Sequence, residues 1–319
     1  MTAPPSRTAL VVAAGETIAR GSKSFAAASK LFDPATRERA WLLYAWCRAC
    51  DDLADGQELG HGQTHVTDPL TRIAEIRDKT ALALAGETVG DPAFDGLAVV
   101  VAETAMPRCF IDDHIAGFAL DADEWGPRSE DDLYRYCYHV AGVVGCMMAI
   151  VMGVSPDDAA TLDRACDLGI AFQLANIARD IEEDDRSGRC YLPEEWLCEM
   201  DFPPGQHMKP PFRARLTVLA RRLASLAGRY EESARIGTPA LPYRSAWAVL
   251  AAADIYGGIA RKVAAAGDHA WDHRISTTAG EKAAAIVRSG WAAGTRARRY
   301  PPAPRDPALW SRPVSSTPV

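Results

Sequence analysis

The chain of 319 residues has no apolar run long enough to cross a bilayer as a helix. Its longest such run, Val140 to Met152, is about thirteen residues, whereas a membrane-spanning helix needs about 20. A convincing signal peptide is also missing, because the apolar stretch Ala9 to Ala14 is short and lacks a basic flank. We therefore expect a cytoplasmic protein, with peripheral contact at the inner face of the cell membrane left open.

The sequence also has no excess of basic residues. Its formal net charge is −7 and its pI is ≈ 5.6. Proteins that bind the phosphate backbone of nucleic acids need a basic surface. The charge balance therefore excludes nucleic acid as the expected partner, and any phosphate should bind locally, through metal.

Three further patterns are absent. No run of alternating β-branched residues stands out, whereas alanine-rich segments with a 3.6-residue period recur throughout. Cys47 and Cys50 form one C-x-x-C pair without a second pair at zinc spacing, so reduced thiols are expected. No glycine-rich dinucleotide fingerprint is present, and NADPH is not expected. These patterns predict one helical domain over 1–299 and a proline-rich tail over 300–319, which we expect to be loosely held.

An acidic stripe is present in the stretch from Gln173 to Pro193. At about 100° per residue, Gln173, Asn176, Asp180 and Asp184 fall within about 80° of one helix face. Apolar residues surround the N-terminal part of this stripe, so Gln173 and Asn176 are expected inside the protein. Ser155 is the predicted N-cap of this helix, and Gly188 is the predicted residue just past its end.

A second acidic stripe lies nearer the N-terminus, where Tyr44, Arg48, Asp51 and Asp55 share one helix face. Like charges four residues apart repel by a few tenths of a kcal/mol, and neither stripe has basic residues interleaved regularly enough to relieve this. One such pair is ordinarily a solvated acidic face, but two stripes favour a bound cation. Carboxylate and amide oxygens suit Mg²⁺, which usually binds through a few carboxylates plus substrate phosphates.

If the two stripes face each other across the helices, they predict a single site for Mg²⁺ and diphosphate beside an apolar cavity. Isoprenoid chemistry needs this arrangement, because metal takes up charge on a leaving diphosphate while a carbon–oxygen bond ionises to an allylic cation. Aromatic faces would stabilise that cation. The aromatic candidates are Phe25, Tyr44, Phe172 and Tyr256. The candidates for offsetting the diphosphate charge are Lys23, Arg48 and Arg179.

Motifs spread from about residue 15 to 300 carry a resemblance to a known family. They are Gly-Ser-Lys-Ser-Phe at 21–25, Leu-Tyr-Ala-Trp-Cys-Arg-x-x-Asp-Asp at 43–52, Tyr-Cys-Tyr-His-Val-Ala-Gly-Val-Val-Gly at 136–145, Gln-Leu-x-Asn-Ile-Ala-Arg-Asp at 173–180, Gly-Arg-x-Tyr-Leu-Pro at 188–193, Leu-Pro-x-Arg-Ser-Ala-Trp-Ala at 241–248, Ile-Tyr at 255–256 and Ala-Trp-Asp-x-Arg at 270–274. Together they resemble the squalene/phytoene synthase family, and within it the short bacterial members.

The resemblance implies an all-α, single-domain isoprenoid synthase-type helical bundle around a central apolar cavity. It also implies roles for individual residues. The implied metal ligands are Asp51, Asp55, Asn176, Asp180 and Asp184. The implied substrate-binding residues are Ser22, Lys23, Ser24, Phe25, Tyr44, Arg48, Gln173, Asn176, Arg179, Tyr256 and Arg274. The implied catalytic residues are Asp51, Asp55, Asp180, Asp184, Arg48 and Tyr44.

The implied reaction condenses two molecules of geranylgeranyl diphosphate head to head, with Mg²⁺ (or Mn²⁺) as cofactor. The first molecule ionises and alkylates the second, which yields the cyclopropyl intermediate prephytoene diphosphate. A second ionisation, a rearrangement and proton loss give 15-cis-phytoene, the first committed product of carotenoid biosynthesis. A downstream phytoene desaturase is the protein partner that this product implies.

Several alternatives stay open at this point. A dehydrosqualene synthase would run the same chemistry on farnesyl diphosphate, and chain length depends on cavity depth, which a sequence does not display. Squalene synthases usually add a membrane helix and NADPH reduction, for which the sequence shows no signal. Head-to-tail prenyltransferases and class I terpene cyclases fit the second stripe less well. A non-catalytic assembly protein of the same fold is disfavoured because both acidic stripes are intact.

Overall fold

A computed structural model describes residues 5–55, 69–122 and 125–313, in which all regular secondary structure is helical. The predicted all-α fold is confirmed. The helices are α1 Arg7–Gly21, α2 Lys23–Ala28, α3 Pro34–Asp55, α4 Pro69–Leu84, α5 Pro92–Thr104, α6 Arg108–Ala122, α7 Glu130–Cys137, α8 Val143–Val151, α9 Ala159–Arg186, α10 Glu194–Glu199, α11 Arg213–Gly237, α12 Tyr243–Ala266, α13 Ala279–Gly294 and α14 Arg296–Arg299. Within those ranges, none of the helices is both long and apolar enough to pass through a bilayer.

Contacts divide the chain into two compact units. The first unit comprises Met1–Asp123 and Met147–Asp158, and the second comprises Glu124–Cys146 and Ala159–Val319. The acidic stripe around Asp51 therefore belongs to the first unit and the stripe around Asp180 to the second. The prediction of one helical domain over 1–299 stays a prediction, and each unit is described by itself.

Helix α3 lies at the centre of the first unit, where it packs against α1, α4, α5 and α6. Its inner face buries Leu42, Leu43 and Trp46 completely. The indole Nε1 of Trp46 donates to the hydroxyl of Thr80 at 3.4 Å, so the one polar atom of this side chain is satisfied. The helix begins at Pro34, a residue that suits the first helical position because its missing N–H would be unpaired there. The opposite face is left for Arg48 and the carboxylates.

Helix α9 lies at the centre of the second unit, and it packs against α11, α12 and the π-helical turn Tyr138–Gly142. Glycine permits the closest of these contacts. A Cβ added at Gly145 would lie 2.3 Å from the carbonyl oxygen of Ala165, and one at Gly169 would lie 2.2 Å from that of Ala141. Both distances are too short for real atoms. These glycines therefore serve helix packing rather than ligand access.

The two ends of α9 differ in how well their sequence signals predict them. Gly188 has φ +74°, which confirms it as the left-handed residue past the C-terminal end. The predicted N-cap is wrong, because α9 begins at Ala159 rather than directly after Ser155. The Ser155 hydroxyl instead accepts from the backbone N–H of Asp157 at 3.2 Å and stabilises a separate turn before the helix.

The described part of the C-terminal tail is firmly attached to the second unit, contrary to the expectation that it is loosely held. We call residues 303–312 the C-terminal strap. Arg305 makes two hydrogen bonds to the carboxylate of Asp167, at 2.9 and 2.7 Å. The backbone N–H of Trp310 donates to the Tyr230 hydroxyl at 3.0 Å. The proline content of the tail did not reveal these side-chain anchors.

Candidate active site

In the first unit, the candidate site is a cluster on α3 that comprises Tyr44, Arg48, Asp51 and Asp52; we call it the α3 cluster. The guanidinium of Arg48 lies 3.0 Å from a carboxylate oxygen of Asp51 and 2.8 Å from one of Asp52. The Arg48 side chain is 17% exposed, whereas that of Asp51 is 44% exposed. Asp51 is thus a carboxylate that solvent and ligands can reach, beside a guanidinium that is mostly buried.

The charges of the α3 cluster act on the pKa values of its members. Burial lowers the pKa of Arg48, but the hydrogen bond that Arg48 donates to Asp52 and the charges of both carboxylates outweigh it and raise that pKa overall. Burial also raises the pKa of the Tyr44 phenol, with added contributions from the two carboxylates. At neutral pH, Arg48 is therefore charged and Tyr44 is a neutral hydroxyl.

The turn at Gly21 lies directly against this cluster. A Cβ added at Gly21 would approach the Tyr44 hydroxyl oxygen to 2.8 Å, so a larger residue there would force the Tyr44 side chain to shift. The ring of Phe25 packs on Tyr44 with centroids 5.4 Å apart. Ser22 caps α2, because its hydroxyl oxygen accepts from the backbone N–H of Phe25 at 3.3 Å. Its hydroxyl hydrogen can still be donated to a ligand.

Three predicted site residues of the first unit cannot be placed to the same detail. The side chains of Lys23, Ser24 and Asp55 lie outside the described part of the structure. The backbones of Lys23 and Ser24 belong to α2, and that of Asp55 ends α3. The roles predicted for these three residues stay predictions.

In the second unit, Asp180 of α9 lies at the centre of the candidate site. Arg179 donates to both of its carboxylate oxygens, through Nε at 2.7 Å and through Nη2. Arg274 approaches the same carboxylate to 3.2 Å and also pairs with Glu183 at 2.5 Å. Arg179 and Asp180 are largely shielded, whereas the Arg274 side chain is 54% exposed. We call Arg179, Asp180, Glu183 and Arg274 the α9 cluster.

A buried tryptophan positions Arg274 beside α9. The indole Nε1 of Trp271 donates to the backbone carbonyl of Ala178 at 3.1 Å, and the ring is 4% exposed. This bond joins the segment before α13 to α9 close to Asp180. The motif Ala-Trp-Asp-x-Arg at 270–274 therefore has a physical reason for its spacing, because the tryptophan anchors the segment and the arginine reaches the carboxylate.

The remaining predicted residues of the second stripe lie on α9 as expected, although less deeply than expected. Gln173, Asn176 and Asp184 are all half-buried, so Gln173 and Asn176, which are expected inside the protein, are only partly enclosed. The reason is that the stripe occupies a helix face that packing does not close completely. Partial exposure leaves these oxygens within reach of a ligand.

The two aromatic candidates of the second unit lie together. The rings of Phe172 and Tyr256 stack with centroids 4.3 Å apart and an interplanar angle of 24°. Burial raises the pKa of the Tyr256 phenol, an effect that the charge of Arg179 opposes. Tyr256 is therefore an uncharged aromatic surface at neutral pH, as stabilising a carbocation requires.

The structure corrects the expectation that the acidic stripes lack compensating cations. Arg48 offsets one of the two carboxylate charges of the α3 cluster, and Arg179 with Arg274 offsets the charge of Asp180. The sequence signal for Arg48 was available, since Asp51 and Asp52 follow it by three and four residues on one helix. The pairing of Asp180 with Arg274 had no local signal, because 94 positions separate the two residues.

Sequence reasoning also missed two carboxylates that join these clusters. Asp52 accepts from Arg48, and Glu183 accepts from Arg274. Asp52 belongs to the Asp-Asp pair of the first motif, and Glu183 follows Asp180 by three residues, so helix spacing could have identified both.

The donor chemistry of both clusters fits a divalent metal bound together with phosphate. Among the residues that the structure describes, no three His, Cys, Asp or Glu side chains gather as a complete metal cage. Magnesium does not need one, because it usually binds through one or two carboxylates, waters and substrate phosphates. Asp51 in one unit and Asp180 in the other are hard oxygen donors beside guanidinium groups that suit phosphate oxygens. The predicted face-to-face arrangement of the two stripes joins different units and stays a prediction.

Comparison with known proteins assigns the family. The chain belongs to the squalene/phytoene synthase family, whose pattern matches residues 18–281. It is 48% identical over 302 residues to the 15-cis-phytoene synthase of Pantoea ananas, covering 94% of this chain and 96% of that protein. It is 49% identical over 297 residues to the 15-cis-phytoene synthase of Enterobacter agglomerans, covering 92% and 99% respectively.

The fold is also that of solved members of the same group. A crystal structure of a dehydrosqualene synthase in complex with ligand superimposes with a TM-score of 0.80 at 25% identity, covering 91% of this chain and 98% of that chain. The predicted family and the isoprenoid synthase fold are therefore confirmed. The family consists of prenyltransferases that use prenyl diphosphates, and enzymes of this fold generally use divalent metal.

Proposed function

We propose that the protein condenses two molecules of geranylgeranyl diphosphate to 15-cis-phytoene. The observation that carries this proposal is the 48% identity, over nearly the whole chain, to a relative named 15-cis-phytoene synthase. The clusters support it, because each combines a reachable carboxylate with guanidinium groups, as binding of metal and diphosphate requires.

In the first half of the proposed reaction, the carbon–oxygen bond of one substrate breaks and diphosphate leaves with the electron pair. The resulting allylic cation forms a bond to the double bond of the second substrate, and a proton is lost to give prephytoene diphosphate. In the second half, the remaining diphosphate leaves, the cyclopropyl carbons rearrange and a second proton is lost. Two diphosphates and two protons are released in total. No electrons are transferred, so the reaction needs no NADPH.

The residues of the chain have separable tasks in this proposal. Asp51, Asp180 and, on the same α9 face, Asn176 and Asp184 would hold Mg²⁺, with Asp55 as a further ligand from α3. Bound Mg²⁺ would supply charge neutralisation for the leaving diphosphate. Three guanidinium groups would bind diphosphate oxygens directly, and an exposed group such as Arg274 can turn from carboxylate to ligand at little cost. These are Arg48, Arg179 and Arg274.

The other predicted residues would shape the substrate site. Tyr44 and Tyr256 are neutral aromatic side chains whose partners, Phe25 and Phe172, hold them in place. Stacked rings that exclude water would protect a cation from capture. The polar residues proposed to bind substrate are Ser22, Lys23, Ser24 and Gln173.

A second candidate function is dehydrosqualene synthesis from farnesyl diphosphate. It is favoured by the structural similarity to a dehydrosqualene synthase, which has a TM-score of 0.80. The identity to that protein is 25%, about half the identity to the bacterial 15-cis-phytoene synthases. Geranylgeranyl diphosphate is therefore the preferred substrate.

The test is to incubate purified protein and Mg²⁺, without NADPH, with either geranylgeranyl or farnesyl diphosphate and to identify hydrocarbons by mass spectrometry. We expect phytoene from the first substrate and loss of product when a chelator removes the metal. If farnesyl diphosphate gives a C30 hydrocarbon and geranylgeranyl diphosphate gives no product, the assigned substrate becomes farnesyl diphosphate. The absence of hydrocarbon from both substrates, with correctly folded protein, would overturn the proposed function.

A further inference from the structure

The outward face of α13 carries the two most exposed large apolar side chains among the described residues. Val287 is 73% exposed and Trp291 is 67% exposed. The two residues are four positions apart on one helix, so their side chains are neighbours and form one apolar patch. Single exposed apolar residues are normal on a protein surface, but a neighbouring pair that includes tryptophan is unusual.

The inner face of α13 prevents this patch from turning inward. Ala285 and Ser289 are buried against the second unit. The indole Nε1 of Trp247 donates to the carbonyl of Ile286 at 2.7 Å. A Cβ at Gly290 would approach the Trp247 ring to 3.0 Å, so the helices already touch there. The exposure of the patch therefore follows from how α13 is anchored, not from a loose helix.

Basic residues accompany the patch in the sequence, and Arg299 lies beside it in the structure. From residue 282 to residue 300 the chain contains five basic side chains and no acidic one, although its net charge is −7. Arg298 and Arg299 are exposed, and the Arg299 guanidinium lies 5.9 Å from the Trp291 ring centroid. Arg288 is exposed as well, with Asp254 3.7 Å away as its acidic neighbour. We call Val287, Arg288 and Trp291 of α13, together with Arg298 and Arg299 of the adjoining α14, the α13 face.

We propose that the α13 face binds the surface of an anionic phospholipid bilayer. Tryptophan is amphipathic and suits the boundary between headgroups and acyl chains, and arginines beside it would pair with lipid phosphates. Two exposed apolar side chains offer too little area for a stable protein–protein interface, which needs roughly 1,000 Å². Shallow insertion into lipid needs only a few apolar side chains when basic residues add electrostatic attraction.

The test is co-sedimentation of the purified full chain with vesicles of phosphatidylcholine alone and of phosphatidylcholine mixed with phosphatidylglycerol, without substrate. We expect about tenfold or stronger binding to the anionic vesicles, weakened by added salt. Equal binding to both vesicle types, or binding to neither, would overturn the proposal. Because no substrate is present, that result would leave the proposed reaction untouched.

Variants test whether the α13 face is the part of the protein that binds the vesicles. Removing two arginines, in Arg298→Gln with Arg299→Gln, should weaken binding to the anionic vesicles by about 25-fold, at about fivefold for each charge. Trp291→Ala with Val287→Ser should weaken it by about tenfold or more. The matched controls are Val218→Ser, an exposed valine of α11, and Arg108→Gln, an exposed arginine of α6, and both should bind like the original chain.

Two further measurements separate lipid binding from other causes. Circular dichroism of every variant should match that of the original chain, since none of the changed side chains is buried. The molar mass by light scattering should be the same for the original chain and for Trp291→Ala. A variant that converts a dimer to a monomer while vesicle binding is unchanged would show that the face binds a second copy, and would overturn the lipid assignment.

Discussion

Asp167 and Asp180 of helix α9 each pair with arginine but differ in their access to solvent. Asp167 is 0% exposed, with Arg305 and the Ser233 hydroxyl as partners. Asp180 is 17% exposed, and its partner Arg274 is mostly exposed. An aspartate–arginine pair thus occurs once with its carboxylate fully buried, at Asp167, and once with its arginine in solvent, at Asp180 and Arg274. The difference shows that the surroundings of an ion pair, rather than the pair itself, decide its use.

The interior pair is closed by the C-terminal strap. Burial raises the pKa of Asp167, although the hydrogen bonds from Arg305 and Ser233 oppose that shift. The Arg164 guanidinium donates to the Ser233 hydroxyl at 2.8 Å, and that hydroxyl in turn donates to the Asp167 carboxylate. Charges in such a setting are hydrogen-bonded on several sides, so exchanging a partner for a ligand would be costly. We therefore assign Asp167 to stability.

The pair near solvent has the opposite properties. Arg274 lies on a segment after α12, and its side chain is exposed, so it can leave Asp180 without stranding a buried charge. Exposed ion pairs are typically worth about 0.2–1 kcal/mol, which diphosphate or metal can outweigh. This low cost is what a binding site needs.

The largest expected effect is on turnover when a carboxylate of the proposed site is removed. Asp180→Ala should reduce phytoene formation by at least about 10³-fold, because it removes a carboxylate proposed to hold the Mg²⁺ that offsets the charge of the leaving diphosphate. Asp51→Ala should do the same in the first unit. Helical content by circular dichroism should be unchanged in both variants. Near-normal product formation in either one would remove that residue from the proposed site.

The converse change tests the interior pair. Asp167→Ala should lower the free energy of unfolding by about 3–5 kcal/mol, because it leaves the largely shielded guanidinium of Arg305 and the buried hydroxyl of Ser233 without their carboxylate partner. Turnover per folded molecule, measured below the unfolding temperature, should be retained. Denaturant titration gives the first quantity and mass spectrometry of product the second. If turnover is lost while stability is retained, the two aspartates do not differ as described.

The pH dependence of stability sharpens the comparison. Because burial raises the folded-state pKa of Asp167 above its ordinary value of 3.8, the folded chain holds this proton more tightly than the unfolded chain. The stabilisation is present below about pH 3.8 and is lost as the pH rises through the folded-state pKa. Relative to Asp167→Asn, which does not titrate, the original chain should therefore lose stability as the pH rises above about 4 towards neutrality. Denaturant titrations across this range should show a falling difference; a rising difference would mean that Arg305 lowers the pKa instead.

The smallest expected effect concerns a third acidic residue of α9. Glu182 pairs with the exposed Arg186 at 2.7 Å on a different face from the proposed metal ligands. Glu182→Gln should change the free energy of unfolding by less than about 0.5 kcal/mol and leave turnover unchanged. The same two assays check it. A large loss of activity would show that any carboxylate in this part of α9 matters, whatever its face.

Local patterns determined much of this protein. The 3.6-residue period predicted helices, and helix geometry placed Asp51 in one acidic stripe, on α3, and Asp180 in the other, on α9. The motifs predicted the family, which the comparison with the 15-cis-phytoene synthase of Pantoea ananas confirmed. These features depend on neighbours within a few turns of one helix, so the order of residues suffices to find them.

Tertiary structure alone decided which charges meet and how deeply they lie. Arg274 reaches Asp180 across 94 positions, and Arg305 reaches Asp167 across 138. No periodicity relates residues so far apart, and nothing in the local sequence distinguishes the carboxylate that the strap buries from the one that stays near solvent. Burial depends on what the rest of the chain packs against each position, and this packing decides whether an aspartate on α9 stabilises the fold or can bind a ligand.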